Sequence, residues 1–446
     1  MKREKIYAII LFTLLVAASG IFFYSSTHEQ PIPPLKERNG PISTTSEWLN
    51  TKAAIEGLQY KLRRNNNDTE SKLLLALAYM QEARVTGEHP YYYPAALKLV
   101  ENVLNRKNAD PAIRFEATVA KAMIQLSLHQ FEEGLKTGNQ ALQLNSQRAS
   151  VYGVLCDAYV ELGDYEKAID MADQMVAIRP DLMSYARVSY LREIHGDMEG
   201  ATAALEMAAK AGYPGLEQTA WTKYNLGELH EKKGDLQKAE IIYQQALVER
   251  PSYAFAIGGL GRLKAKTGHH AEAILLFEKA AATLPEFSFQ EELTHLFQIT
   301  GQKQKAQSMM QELLDGLVED QEAGHVVDLE LANIYLELGN DPDKALTYAA
   351  KEYKRRPNNI DVCKVMAAIY YQKGDYAQAD TFLQKATRTN SQDATLLCLH
   401  GLVRFKMGEK ANGEELLKKS FSIDPFQTNR IREEGKGILS HQLTKL

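Results

Sequence analysis

From about residue 47 onward, apolar residues recur at three- and four-residue intervals, in runs broken by short turns containing Gly, Asp and Pro. This is the pattern of amphipathic helices joined by tight connections. Glycines stand at 163, 196, 234, 268, 301, 339, 374 and 408, spaced 33 to 38 apart. An Asp often follows, as at Asp164, Asp197, Asp235 and Asp375, suited to capping a second helix. Ala168, Ala239, Ala273 and Ala379 hold one position where paired helices must approach closely, with Tyr165 and Tyr376 filling the gap beside them. Pro180, Pro251, Pro285, Pro357 and Pro425 end the second helices. The spacing predicts second helices near residues 93, 131, 165, 198, 236, 270, 303, 342, 376 and 410. Units one and seven are degenerate, with polar Gln290 and Lys303 at apolar positions of the seventh. Longer spacings follow the fourth unit (Gly212 to Gly215) and the seventh (Asp315 to Gly324).

The stretches Asp157 to Ala168 and Ala368 to Ala379 align closely with each other. They resemble the tetratricopeptide repeat, over roughly residues 70 to 426. The resemblance implies an all-α solenoid, a right-handed superhelix of about ten helix–turn–helix units, because one unit cannot bury its apolar faces alone. The expected layout is an N-terminal membrane segment (1–26), a Pro-rich linker (27–42), a capping helix (43–69), tandem repeats (70–427) and a C-terminal capping helix (428–446).

Lys2, Arg3 and Lys5 precede an apolar run of 19 residues, Ile6 to Tyr24, close to the ~20 that a spanning helix needs. Two readings stay open: an uncleaved anchor, or a signal peptide cut near Ala18-Ser19-Gly20. Both place the rest of the chain across the membrane from the basic cluster. The expectation is a single-pass inner-membrane protein with its C-terminal domain in the periplasm, or a cleaved periplasmic one.

Composition, at 45% hydrophobic and 24% charged, is that of a folded protein. A net charge of −5 argues against a nucleic-acid partner. Cys156, Cys363 and Cys398 form no CxxC pair, so neither a disulfide framework nor a common zinc pattern is expected. His269-His270 is a turn pair without an evident third metal ligand. No Walker loop, dinucleotide turn, GxSxG or HExxH occurs. We therefore expect no cofactor, no metal, no small-molecule substrate and no catalysis.

Solenoids bind through a concave face lined by the first helix of each unit. In units four to six that face supplies Tyr190, Trp221, Tyr224, Glu228, Phe255, Arg262 and Lys266 as candidate partner-binding residues. Aromatic and Arg side chains commonly anchor such interfaces; the competing reading packs Trp221 and Phe255 against the preceding unit. The Lys and Asn clamp of chaperone-tail-binding repeats is missing, with Ala186, Tyr190, Phe255 and Gly259 at its positions. The function expected is a non-enzymatic protein-binding scaffold on the bacterial inner membrane that binds proteins or peptides during assembly of an envelope system. Alternatives are an organelle-membrane receptor for precursor proteins, or an accessory subunit of a secretion, polysaccharide-export or cytochrome-maturation complex.

Overall fold

The computed structural model describes residues 32–38, 40–426 and 429–443. The chain divides into two compact units, 1–36 and 37–446, and the second holds every described helix. A lone helix, α1 (Ser46–Arg64), precedes ten helix pairs. In chain order these are α2 (Thr69–Thr86) with α3 (His89–Leu104), α4 (Pro111–Ser127) with α5 (Phe131–Leu144), α6 (Ala149–Leu162) with α7 (Tyr165–Ile178), α8 (Leu182–Ile194) with α9 (Met198–Ala211) and α10 (Glu217–Lys232) with α11 (Leu236–Glu249). The next five are α12 (Ala254–Lys266) with α13 (His270–Thr283), α14 (Phe287–Ile299) with α15 (Lys303–Glu322), α16 (Asp328–Glu337) with α17 (Pro342–Arg355), α18 (Ile360–Gln372) with α19 (Tyr376–Ala386) and α20 (Ala394–Lys406) with α21 (Lys410–Ile423). A last helix, α22 (Arg430–Leu443), packs on unit 10. The pairs are units 1 to 10. No strand occurs among the described residues.

The backbone counts the units by itself. Each internal turn holds one residue in the left-handed region: Gly87, His129, Gly163, Gly196, Gly234, Gly268, Gly301, Asn340, Gly374 and Gly408. That residue directly precedes the N-cap of the second helix. In unit 3, Asp164 N–H donates to Tyr159 O at 2.8 Å and Gly163 N–H to Val160 O at 3.0 Å, satisfying carbonyls the helix end leaves open. The carboxylate of Asp197 then accepts from Gly200 N–H at 2.9 Å, and that of Asp375 from Gln378 N–H at 3.1 Å. Glycine spacing alone gives this role in unit 8 to Gly339. The structure gives it to Asn340 (φ 49°), because Asp341 caps α17 and the left-handed residue must adjoin the cap. Asn tolerates that region better than most side chains. Ala168, Ala239, Ala273 and Ala379 are fully buried where the paired helices meet. The connection after unit 7 is taken up by extra helix, α15 running 20 residues.

The units also touch at long range. The internal turn of unit n lies against the loop that follows unit n+5. In unit 2, Leu128 O accepts from Val326 N–H at 3.0 Å and the Gln130 amide donates to Gly324 O at 2.9 Å. In unit 3, Glu161 O accepts from Asn359 Nδ2 at 3.0 Å and Tyr165 OH from Ile360 N–H at 3.0 Å, while Gly163 O accepts at 2.8 Å from Arg388 Nη2, which reaches in from the loop one unit further on. Gly196 meets Asn390, and Gly234 meets Ile423 and Pro425. At the N-terminal end, Arg250 after unit 5 pairs with Glu47 of α1. Successive turns of the solenoid are therefore stacked, along one seam where side chains such as Gln130, Asn359 and Arg388 bond to the backbone of the facing loop or turn.

Within the stretch read as linker, Arg38 is buried: its guanidinium donates to Glu82 (Nε to Oε2, 3.0 Å) and lies 5.0 Å from the Trp48 ring. The single-pass inner-membrane placement, with a periplasmic domain, is corrected. No helix among the described residues is long and apolar enough to cross a membrane. The longest, α15, carries Lys303, Lys305, Glu312, Asp315 and Glu319, whereas a span needs ~20 predominantly apolar residues. The segment 6–24 that carried the expectation lies outside the described residues.

Candidate functional site

First helices present their inner faces to a cavity of about 900 Å³. Its lining runs from Tyr190 on α8 through α10, α12, α14, α16, α18 and the start of α20 to Glu434 on α22, so both stacked turns border it. A smaller cavity of about 400 Å³ lies between α6, α8 and α10, sharing Tyr190 and Glu228 with the first.

Of the sequence-named residues, Tyr190, Tyr224, Glu228, Arg262 and Lys266 line the larger cavity. Trp221, 36% exposed, lines the smaller one. Phe255 is half-buried inside an aromatic stack, its ring 4.9 Å from Trp221, 5.4 Å from Tyr224 and 5.5 Å from Phe289.

Arg262 is the electrostatic centre of the early part of this surface. Its guanidinium donates to Glu228 Oε1 at 2.9 Å, Glu231 Oε2 at 3.2 Å, Tyr224 OH at 3.1 Å and Tyr243 OH at 3.1 Å. These partners occupy its donors, so Arg262 holds α10, α11 and α12 together. Burial drives the Glu231 carboxyl up, but Arg262 and Lys266 outweigh it and hold it below the usual range. Lys266 bridges Glu231 (3.3 Å) and Asp424 (3.0 Å), the latter on the next turn. Lys232 pairs with Glu193 at 2.6 Å and Lys364 with Asp393 at 2.7 Å.

The carboxylates that face the cavity without such partners are ones the sequence reading passed over. Glu291 and Glu292 on α14, Glu337 on α16 and Asp361 on α18 form no hydrogen bond or ion pair through their side chains among the described residues. Burial, with Glu292 and Glu330 nearby, pushes the Glu291 carboxyl up to about 7. Burial raises Glu292 and Glu337 as well. For Glu291 and Glu292 the signal in sequence was the polar face of unit 7, read there as degeneracy; Glu337 and Asp361, in units 8 and 9, had none.

The cysteines are all free and buried. Burial pushes the thiols of Cys156 and Cys398 up to about 12 and about 11, which leaves them unreactive. No cluster of His, Cys, Asp and Glu among the described residues has the geometry to hold a metal.

Stacked helix pairs, a left-handed residue before each second-helix cap and an inner face built from first helices define an α-solenoid of helix–turn–helix repeats. The family is the tetratricopeptide repeat: models of that description match residues 149–182, 224–252 and 362–393, and the chain belongs to this superfamily. Over 262 residues it is 25% identical to the Vi polysaccharide export protein VexE of Salmonella typhi, covering 56% of this chain and 37% of that protein. Over 346 residues it is 22% identical to the cellulose synthase operon protein C of Pseudomonas fluorescens, covering 76% of this chain and 24% of that one. The chain thus spans less than two-fifths of either relative. Among solved structures, the human IFIT1 dimer gives a TM-score of 0.46 at 15% identity over 83% of this chain and 86% of that chain. A tetratricopeptide protein of Thermus thermophilus gives 0.37 at 23% identity over 46% and 99%.

Proposed function

We propose that the chain is a protein-binding scaffold that receives a segment of a partner protein on the inner face of its first helices. The supporting observation is the cavity of about 900 Å³ bordered by seven first helices and α22, mixing aromatic rings with charge. A concave, part-apolar site with convergent polar groups is the usual form of a binding site, and the repeat family is one of protein–protein interaction. The names of VexE and of the cellulose synthase operon protein support a setting in the bacterial production or export of polysaccharide. The partner there would be another protein of such an assembly, the chain acting without catalysis.

Photo-crosslinking in the source cell tests this. A benzophenone amino acid at Tyr190 or Tyr371, both at the cavity, should capture a partner; one at exposed Glu240 on α11 should not. Capture from Glu240 alone would move the binding face to the outer helices and overturn the proposal.

A further inference from the structure

We propose that the segment the cavity receives is basic: an extended stretch of polypeptide whose Lys or Arg side chains pair with Glu291, Glu292, Glu337 and Asp361. The inference rests on the scaffold reading above and names the chemistry of its partner.

The argument is one of charge left over. Every lysine bordering the cavity, and Arg262 with them, is already engaged by a carboxylate of the protein: Lys232 by Glu193, Arg262 by Glu228 and Glu231, Lys266 by Glu231 and Asp424, and Lys364 by Asp393; Arg430, also in the lining, donates to the Asn340 amide oxygen at 2.6 Å and pairs with no carboxylate among the described residues. The carboxylates are not all engaged. Glu291, Glu292, Glu337 and Asp361 lie on three consecutive first helices, and no cation of the protein reaches them within ion-pair distance. An anionic or neutral occupant would meet four unpaired carboxylates. A cationic occupant would neutralise them and make charge-assisted hydrogen bonds in a half-buried site, where such bonds are stronger than in water. Burial already disfavours the charged form of Glu291, Glu292 and Glu337. A cation beside them reverses that and draws their titration back toward the ordinary range. Rings at the cavity wall, Tyr190 and Tyr371, offer faces on which a guanidinium or ammonium can rest.

An extended segment suits the space better than a folded module. The cavity is near the upper end of the roughly 300–1,000 Å³ that small-ligand sites occupy. It is bordered by many helices in succession, so an extended chain, with side chains alternating from face to face, reaches several carboxylates at once.

The test uses the whole chain and two fluorescein-labelled nonapeptides of glycine and serine. One carries three lysines and the other glutamine at the same places, and fluorescence anisotropy reads the binding. The lysine peptide should bind about tenfold more tightly or better at low salt, and the preference should shrink as sodium chloride screens the pairs. Glu291→Gln with Glu292→Gln should weaken the lysine peptide about tenfold, and so should Asp361→Lys at its exposed site. Glu240→Gln with Glu278→Gln on outer helices should change nothing. Circular dichroism and a melting curve confirm folding; the glutamine variants remove half-buried unpaired charge and should not melt lower.

Equal affinity for the two peptides, with both weakened by Tyr371→Ala, overturns the charge assignment and leaves the inner face as the binding site. Loss of the lysine peptide through the outer variants instead overturns the scaffold reading too. Displacement of the lysine peptide by spermidine at equal concentration makes the ligand a small polycation and overturns the peptide.

Discussion

Replacing Gly163 by Ala tests whether stacking of the turns holds the solenoid together. Gly163 stands at φ 78°, where an L side chain is strained whatever its surroundings; that term is about 1–2 kcal/mol. A Cβ there also runs into the backbone of the next turn, meeting the carbonyl of Asn358 and lying 2.7 Å from Asn359 N. Backbone cannot rotate away as a side chain can, so the seam must shift. Overpacking of this kind costs about 1–3 kcal/mol. Gly374 and Gly268 supply the controls: φ is 80° and 79°, and nothing lies within 4 Å of their Cβ positions. We expect Gly374→Ala and Gly268→Ala to lower stability by about 1–2 kcal/mol, and Gly163→Ala by about 2–5 kcal/mol. Urea unfolding gives the stabilities. Native-state hydrogen exchange gives the location, because the Ile360 amide donates across the seam to Tyr165 OH at 3.0 Å and should lose protection only in Gly163→Ala. Three equal losses with Ile360 protection intact would show the contact to be idle.

Three further outcomes follow from the same structure. Arg262→Met leaves Glu231, 5% exposed, without its guanidinium, and should cost about 3–5 kcal/mol. Because the native Glu231 carboxyl is depressed from 4.5, its contribution is present above that pH and fades as pH falls through the native value. An identical loss at pH 7 and pH 3 in urea titrations would refute this. His129 is held neutral at the seam by burial and the neighbouring His325 ring, its pKa pushed down to about 3. The unfolded chain takes up a proton near 6.5, so this group removes stability as pH falls from 6.5 toward 3. Glu286, raised to about 7 by burial and Asp320, acts with the opposite sign, so the measured quantity must be the difference between wild type and His129→Asn. That difference should move in favour of the variant, by up to ~1.4 kcal/mol per pH unit below 6.5, and a flat difference counts against it; Asn suits the φ of 56°. Phe255→Ala should cost about 3 kcal/mol or more, while Trp221→Ala, at a 36% exposed site, should cost clearly less. Reversal of that order in thermal melts would undo the packing described for the aromatic stack.

The repeat was legible because its constraints are local and strong. A left-handed residue, a cap and a small residue at the helix crossing must recur wherever two helices fold back, so Gly163-Asp164 with Ala168, and Gly374-Asp375 with Ala379, mark units without reference to the rest of the chain. Asn340 escaped because two residue types meet the same backbone demand, and His129 because a third did. Stacking of the turns was not legible. Its partners lie about five units apart in loops that share no repeated side chain, Glu161 with Asn359 in one place and Gly196 with Asn390 in another, and one partner of most of these bonds is a backbone group, which any sequence supplies. Among the candidate residues, the register placed Tyr190, Tyr224 and Glu228 on the inner face. It could not say that Arg262 spends its donors on Glu228, Glu231 and two tyrosines. The unpaired carboxylates at Glu291 and Glu292 sat in a unit whose polarity read as decay of the repeat, because sequence shows that a charge is present and not whether it has a partner.

The seam and the cavity are coupled by construction. Tyr190 and Glu228 come from units 4 and 5, while Asp361, Asp393 and Glu434 come from units 9 and 10 and α22; seam contacts in units 3 to 5 hold these two sets together. An occupant touching both sets binds the stacked form better than the parted one, so it stabilises the seam, by about 2.7 kcal/mol at a hundred times its Kd if it binds the stacked form alone. Linkage is reciprocal: the occupant favours stacking by the factor by which stacking favours the occupant, and apparent affinity scales with the fraction of molecules that are stacked, so a change that parts the seam in most molecules weakens binding. Gly163 lies outside the cavity lining, so Gly163→Ala should lower affinity for the lysine peptide without altering a contact to it, and added peptide should restore protection at the Ile360 amide. An unchanged affinity in a variant whose seam is parted in most molecules would show that the occupant is held by one turn alone.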